Sequence, residues 1–346
     1  MPPNYPRVRI QGTLRNESYG FEEIEGKLVK KVREHVYDRV LARDVFRIIF
    51  FLPHDHHHLI TGVTHALDSY LRAIEGCSGV LSKFTCCWWE PFDLTEPSDW
   101  DLIRGTLEPK EPRFFEDYEP HDARFAEKDG ADPYFTLFGE QGNGYSFRYH
   151  ARLPWREPPP PSVSVLSATL PTEYLEEHGA QHVRELAMTM ASRLPFATGH
   201  AGLALYLWHP IYDQLDHLRT ELFRHPGFDV RAASHFDVMG TQVDGIHWMN
   251  FLGPPVLSEL GGAAGLRARL HSPTTSVQEL EGERAVVTLG ESPEAGDTTQ
   301  GQTLPAYREL ARLLEPHLEP FPWGYLARES PEVEKELRRW WRRFLD

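Results

Sequence analysis

The chain is poor in cysteine, has no long apolar run and carries no excess of positive charge, and each shortage excludes something. Cys77, Cys86 and Cys87 are the three cysteines among 346 residues. They cannot all pair with one another, and none stands in a C-x-x-C arrangement. A disulfide framework is therefore not expected, and reduced thiols fit a cytoplasmic protein. No stretch of about 18 apolar residues occurs, so neither a membrane span nor a membrane partner is expected. The opening Met1-Pro2-Pro3-Asn4-Tyr5-Pro6 lacks the apolar core of a signal peptide. Lys and Arg number 36 against 51 Asp and Glu, a formal charge of −15. A nucleic-acid binder needs a basic face, so that class is set aside.

Catalytic templates are missing as well. No G-x-x-x-x-G-K-[ST] phosphate cradle exists, and Gly142-Asn143-Gly144 is not followed by a third glycine at the required place. No G-x-S-x-G is present; Ser146 stands between Tyr145 and Phe147. Cys86-Cys87 runs into Trp88-Trp89, an apolar setting that suits inert thiols better than a nucleophile. Histidines are grouped twice. In Pro53-His54-Asp55-His56-His57-His58, successive side chains at a helix start fan out by about 100° and cannot converge. The plain reading is a polar first turn capped by Asp55. His178, His182 and Glu185 share one helix face, but Gly179-Ala180-Gln181 fills the place of an H-E-x-x-H core, so a solvated face is the plain reading. His200, between Gly199 and Ala201, reads as a buried histidine with its needs met. No catalytic residue, metal ligand or cofactor is therefore expected. The alternative is a zinc-dependent enzyme using His54, His56 or His58, or His178 and His182.

Apolar material is ample. Hydrophobic residues make up 40% of the chain and aromatics 12%, enough for one large or two ordinary domains. The densest apolar segment of the second half, Ile246 to Leu252, is bracketed by Gly245 and Gly253 and reads as a buried strand stopped by Pro254-Pro255. Leu28 to Val40 alternates apolar and basic residues, as a pair of strands would. Val45 to Leu52 is a strong buried-strand signal, followed by a helix with Ile60, Val63, Leu67, Leu71 and Ile74 on one face. Pro133 to Gly139 and Tyr145 to Leu153 form a hairpin pattern. Ser162 to Leu170 then repeats the strand-Leu-Pro-helix order of Val45 to Pro53, with Thr172 as cap and Leu175, Val183, Leu186, Met190 and Leu194 inward. Further strands are expected over 199–208, 277–280 and 285–289, helices from Pro210, Pro305 and Pro331, and a mobile loop over Ser292 to Gln302. The expected class is α+β, or mixed α/β: a largely antiparallel sheet packed with helices, with room for two pseudo-repeated strand-helix halves. Glu157-Pro158-Pro159-Pro160-Pro161 is a stiff spacer, which divides the chain into 1–156 and 162–346.

Charge is not spread evenly. Between Trp88 and Asp132 lie 14 acidic and 5 basic residues, so this window holds nine of the fifteen excess negative charges. It also carries Trp88, Trp89, Phe92, Trp100, Phe114, Phe115, Tyr118 and Phe125. A solvated loop pinned by its aromatics fits that composition. So does an acidic surface with aromatic anchors for a basic protein partner, in which Trp89, Glu90, Asp93, Asp99 and Asp101 would make contact.

Gly199-His200-Ala201-Gly202, then Gly245-Ile246 with Trp248 and Asn250-Phe251-Leu252-Gly253-Pro254, then Leu260-Gly261-Gly262 and Gly296-Asp297 together resemble the bacterial TsiV family of type VI secretion immunity proteins. Arg47 to Phe51 and the helix after it fit the same order, and the resemblance runs from about Val45 to Leu318. It implies a cytoplasmic antidote that binds a co-encoded toxin, in the named cases a nuclease of the VRR-NUC type. It offers no catalytic residues. The expected partner is thus a toxin encoded nearby, bound at its active site; a homodimer is allowed.

Overall fold

The computed structural model describes residues 5–24, 27–86, 91–109, 133–152, 163–207, 223–230, 239–320 and 331–346. Its strands are β1 Arg9–Ile24, β2 Lys27–Leu52, β3 Lys83–Cys86, β4 Phe92–Asp93, β5 Tyr134–Phe138, β6 Ser146–His150, β7 Ser164–Pro171, β8 Thr198–Leu207, β9 Met249–Leu252, β10 Thr275–Leu280 and β11 Arg284–Leu289. All belong to one 11-stranded sheet in the order β10-β11-β9-β8-β2-β7-β6-β5-β3-β4, with β1 on β2. Its ladders are antiparallel. The helices are α1 His56–Ala73, α2 Pro97–Thr106, α3 Thr172–His178, α4 Ala180–Ala191, α5 Val256–Glu259, α6 Gly262–Arg269, α7 Pro305–Leu314 and α8 Pro331–Trp341. The expected α+β class, a largely antiparallel sheet packed with helices, is the observed one.

Strand β2 organises the sheet. It lies between β8 and β7, both from the second half of the sequence. The two sequence halves therefore share one sheet, and the Pro-rich spacer between them falls outside the described residues. Alternation along β2 sends Phe46, Ile48, Phe50 and Leu52 to one face and Arg47, Ile49 and Phe51 to the other. The first face is the main core. There β2 meets Leu203, Ala201, Leu170, Ala168 and Leu166 of its neighbours, and the α1 residues Leu59, Val63, Ala66, Leu67 and Tyr70 close over it. Each large side chain so buried contributes about 1.5–3 kcal/mol before entropy is counted. The second face holds a smaller apolar group, Ile49, Phe51, Val163, Val165 and Met239. The same second face carries Arg47 and, opposite Ile49 on β8, His200.

Local departures from the sequence reading have local causes. Leu28 to Val40 is not a pair of strands but part of the single strand β2, whose partner is β1. The helix expected from Thr172 is broken at Gly179, whose φ of 83° no helix accommodates. Thr172 does not cap it: its hydroxyl is bonded to the buried Asp44 carboxylate. Asp55 occupies the cap position of α1, but its carboxylate accepts from Arg152 Nε at 2.8 Å rather than from the helix. The strand expected over Ile246 to Leu252 begins only at Met249, because the Asn250 side chain clasps the His247 backbone, accepting from its N–H at 3.0 Å and donating to its carbonyl at 2.7 Å. Within Ser292 to Gln302, Pro293 and Ala295 to Asp297 are buried and Asp297 caps a 3-10 turn over Thr298–Gln300, while the other residues are exposed. The helix expected from Pro210 lies outside the described residues.

Candidate functional site

One end of the sheet, β4, lies in the acidic window, and the described part of that window runs on through α2. Of the large hydrophobic side chains described, two are exposed: Phe92 at 48% and Leu102 at 59%. Both belong to this segment, Phe92 on β4 and Leu102 on α2. The Phe92 ring lies on the buried Phe84 with centroids 5.5 Å apart, so its outer face is presented by a fixed platform. Helix α2 is anchored through Ile103 and Thr106. Its start is a capping box: Asp99 accepts from the backbone N–H of Thr95 and Glu96 at 2.8 and 2.7 Å, and Glu96 accepts in return. Asp93, Glu96, Asp101 and Glu108 are exposed. Asp93 pairs with Lys83, and Arg104 of α2 pairs with Asp68 at 3.0 Å.

Of the five contact residues read from the sequence, Asp93 and Asp101 stand on this surface. Asp99 serves the helix start. Trp89 and Glu90 lie outside the described residues. Phe92 and Leu102 were not among the five. The signal for Leu102 was its position: helical spacing puts Ile103 and Thr106 inward and leaves Leu102 on the far side.

The histidine runs do not converge. His56 is buried, with Nδ1 3.1 Å from the Tyr149 hydroxyl and Nε2 2.9 Å from the Glu108 carbonyl, while His57 and His58 are exposed. His182 Nε2 is 2.9 Å from the Tyr174 hydroxyl, and its ring stacks on His178. Glu185 instead accepts from Gln181 at 2.7 Å.

The histidine that does gather partners is His200, on the second face of the sheet opposite Ile49. Its Nδ1 is 3.1 Å from Asp244 Oδ1 and its Nε2 is 3.5 Å from Asp229 Oδ2. Asp229 also takes the Arg47 guanidinium at 3.1 Å, and Arg47 donates to the Leu205 carbonyl at 2.6 Å. The His247 ring stacks on His200, with centroids 3.5 Å apart and planes 13° from parallel. All of these side chains are buried. Among the described residues, His200, Asp244 and His247 form the one group of three whose ligand atoms lie within 4.8 Å of one another. The stacking speaks against a shared ion. Nitrogen lone pairs lie in the ring plane, and two nearly parallel planes 3.5 Å apart cannot both hold one ion about 2.1 Å from a nitrogen of each.

What the network does is tie loops to the sheet. Beyond β9, residue 229 takes over the edge of β8, where Asp229 N donates to Leu203 O and Leu205 N to Asp229 O. The segment around Asp244 is held from outside by Val243 N to His317 O and Glu319 N to Val243 O, both 2.8 Å. Glu319 accepts from the Gln242 N–H, and burial raises its carboxyl above the usual range, helped by the Asp244 charge and offset by backbone N–H donors. Arg47 was the legible signal for this cluster. A cation in the middle of Val45 to Leu52 has to find an anion indoors.

A cavity of about 820 Å³ lies between Arg7, Glu176, His225, Ser292 and Asp297. Its charged walls answer one another: Arg7 pairs with Glu176 and Asp44, and Asp297 accepts from Arg224 at 2.9 Å. Arg224 and Thr299 hold the Asp297 carboxyl well below the usual range.

No helix among the described residues is long and apolar enough to cross a membrane. Comparison with curated proteins gives no match. Among solved structures, the Pseudomonas aeruginosa T6SS protein PA0821 shares the fold, with a TM-score of 0.64 at 20% identity over 89% of this chain and 85% of that one. The profile described as TsiV, type VI immunity for VRR-NUC, matches residues 138–344, more than half of the sequence. On that match the chain belongs to the TsiV family of type VI immunity proteins.

Proposed function

We propose that the protein neutralises a co-encoded VRR-NUC toxin by covering its active site with the acidic edge formed by β4 and α2. The observation that carries this reading is the pairing of exposed Phe92 and Leu102 with exposed acids at one end of the sheet. A nuclease grips phosphates in a basic groove. An acidic surface competes for that groove and is steered to it by long-range charge, while fixed apolar side chains supply the desolvated anchors. Asp93 and Asp101 face solvent and have no part in capping α2, so they are the charges assigned to the contact. Asp99 holds α2 in shape, and Trp89 and Glu90 belong to the same proposed surface by sequence. The site of action proposed is the cytoplasm, where a nuclease would reach DNA.

The test is co-expression with the protein encoded by the adjacent gene, followed by binding measurements. The parent chain should rescue growth and form a stable complex whose association slows as salt rises. Leu102→Ala and Phe92→Ala should each weaken binding about tenfold, the loss of one anchor of ~1.4 kcal/mol. Asp93→Lys with Asp101→Lys should slow association and remove most of its salt dependence. Unchanged affinity and salt response in all of these variants would move the interface elsewhere.

A further inference from the structure

Strand β10 ends the sheet on the side away from β4, and its outer edge is open. Backbone parity tells which groups it offers. Gly290 N donates to Thr274 O, so the ladder bonds to β11 fall at residues 274, 276, 278 and 280. The N–H and carbonyl of Thr275, Val277 and Glu279 therefore point away from β11. Two bonds to other parts of the chain agree: Thr275 N donates to Ser272 O at 3.0 Å, and Arg267 Nε donates to Val277 O at 3.3 Å. Among the described residues no strand pairs with this edge. Native edges are blunted by brevity, proline, lysine, a bulge or a cover. The opposite end, β4, is two residues long. Thr275–Leu280 has six residues, no proline, no lysine and an unbroken register with β11. Its one described guard is Arg267, an exposed side chain of α6.

We propose that this edge takes an extended, basic segment of the toxin as a further strand. The proposal rests on the toxin reading above and adds a second contact to it. Charge selects the occupant. Glu279, Glu281 and Glu283 are exposed on β10 and the turn after it. The cations nearby are turned inward or already engaged. Arg284 lies half-buried over the Phe196 ring, 5.0 Å from its centroid, where burial lowers its pKa, and it donates to Leu194 O. Arg269 donates to the carbonyls of Leu260 and Gly265. Arg267 faces Glu279 at 3.9 Å. Three carboxylates thus meet one exposed guanidinium, and a strand bearing lysine or arginine completes the balance. A second copy of this chain would bring three more carboxylates instead. Strand addition suits so narrow a footprint: main-chain bonds to Val277 and Glu279 supply affinity, and the alternate side chains supply specificity. Strand β10 lies inside the matched stretch 138–344, whereas β4 and α2 lie outside it. The two ends of the sheet are nine strand spacings apart, about 43 Å at ~4.8 Å each. The segment is therefore a tail or linker of the toxin, about 13 extended residues from whatever meets β4.

Hydrogen–deuterium exchange of the full chain, alone and with the toxin encoded by the adjacent gene, tests this. Toxin should slow exchange of the Val277 and Glu279 amides at least about tenfold, as new ladder bonds would. Val277→Pro removes an N–H that β11 does not use and blocks an added strand. That variant should melt cooperatively and bind toxin about tenfold more weakly. If it does not fold, the triple variant Glu279→Lys, Glu281→Lys, Glu283→Lys decides, since all three side chains are exposed; its affinity for toxin should fall by a similar factor. A toxin that binds the parent chain yet leaves both amides unprotected, or binds the folded variants as tightly, would overturn the strand addition and leave the toxin reading standing. A toxin that does not bind the parent at all overturns both. Protection that grows with the concentration of this chain alone would put a second copy on the edge and overturn the choice of occupant.

Discussion

Single residues decide what the second face of the sheet tolerates. Arg47 and Asp229 are both buried, and each is the other's charge partner. Asp229→Asn or Arg47→Met alone removes one side of this buried ion pair and should lower unfolding free energy by about 3–5 kcal/mol. The double change Arg47→Met with Asp229→Leu should recover part of that loss, measured by urea denaturation. Glu319 behaves oppositely to the usual paired acid. Its folded-state pKa lies above the ordinary value near 4.5, raised chiefly by burial. Ionising it therefore opposes folding, and stability from this group falls as pH rises from that ordinary value through the raised one. Glu319→Gln keeps the acceptor for Gln242 and removes the charge. The variant should be the more stable protein at neutral pH, and its advantage should vanish as pH drops through the carboxylate range. A thermal-melt series across pH reads this directly; an advantage that persists in acid would show that charge is not the cause.

At the level of elements, close approach rather than propensity sets the packing. Gly62 sits inside α1, where alanine would be the better helix former by about 1 kcal/mol. A Cβ there would lie 2.5 Å from the Arg193 carbonyl oxygen, just beyond the end of α4. The clash outweighs the propensity gain, so Gly62→Ala should lower stability by about 1–3 kcal/mol. A melt unchanged or raised would show that α1 and α4 can separate without penalty. The existence of α1 was legible in the sequence, because Val63 and Leu67 recur at helical spacing and both are buried. So was the hairpin of β5 with β6, whose apolar alternation and turn residues are local signals. The break at Gly179 was hidden, since the apolar spacing runs through it, and only the fold shows that the chain there turns with positive φ.

For the whole molecule, negative charge and a shared sheet are the governing facts. A chain at −15 meets a basic partner faster, which is why the acidic edge is assigned to the toxin. Raising salt should slow that association, which stopped-flow mixing at two ionic strengths checks. The sequence by itself determined most of the strand and helix segments, that the fold is α+β, where the acid lies, and the order of glycine and aromatic motifs that marks the family. These are properties of neighbouring residues, and apolar periodicity and charge composition carry them. Only the tertiary structure decided that His200 meets Asp229, Asp244 and His247, that Asp99 holds a helix start, and that Phe92 and Leu102 face outward. Those outcomes depend on strands and loops far apart in the chain being laid side by side, and no local pattern specifies which buried charge will find which partner.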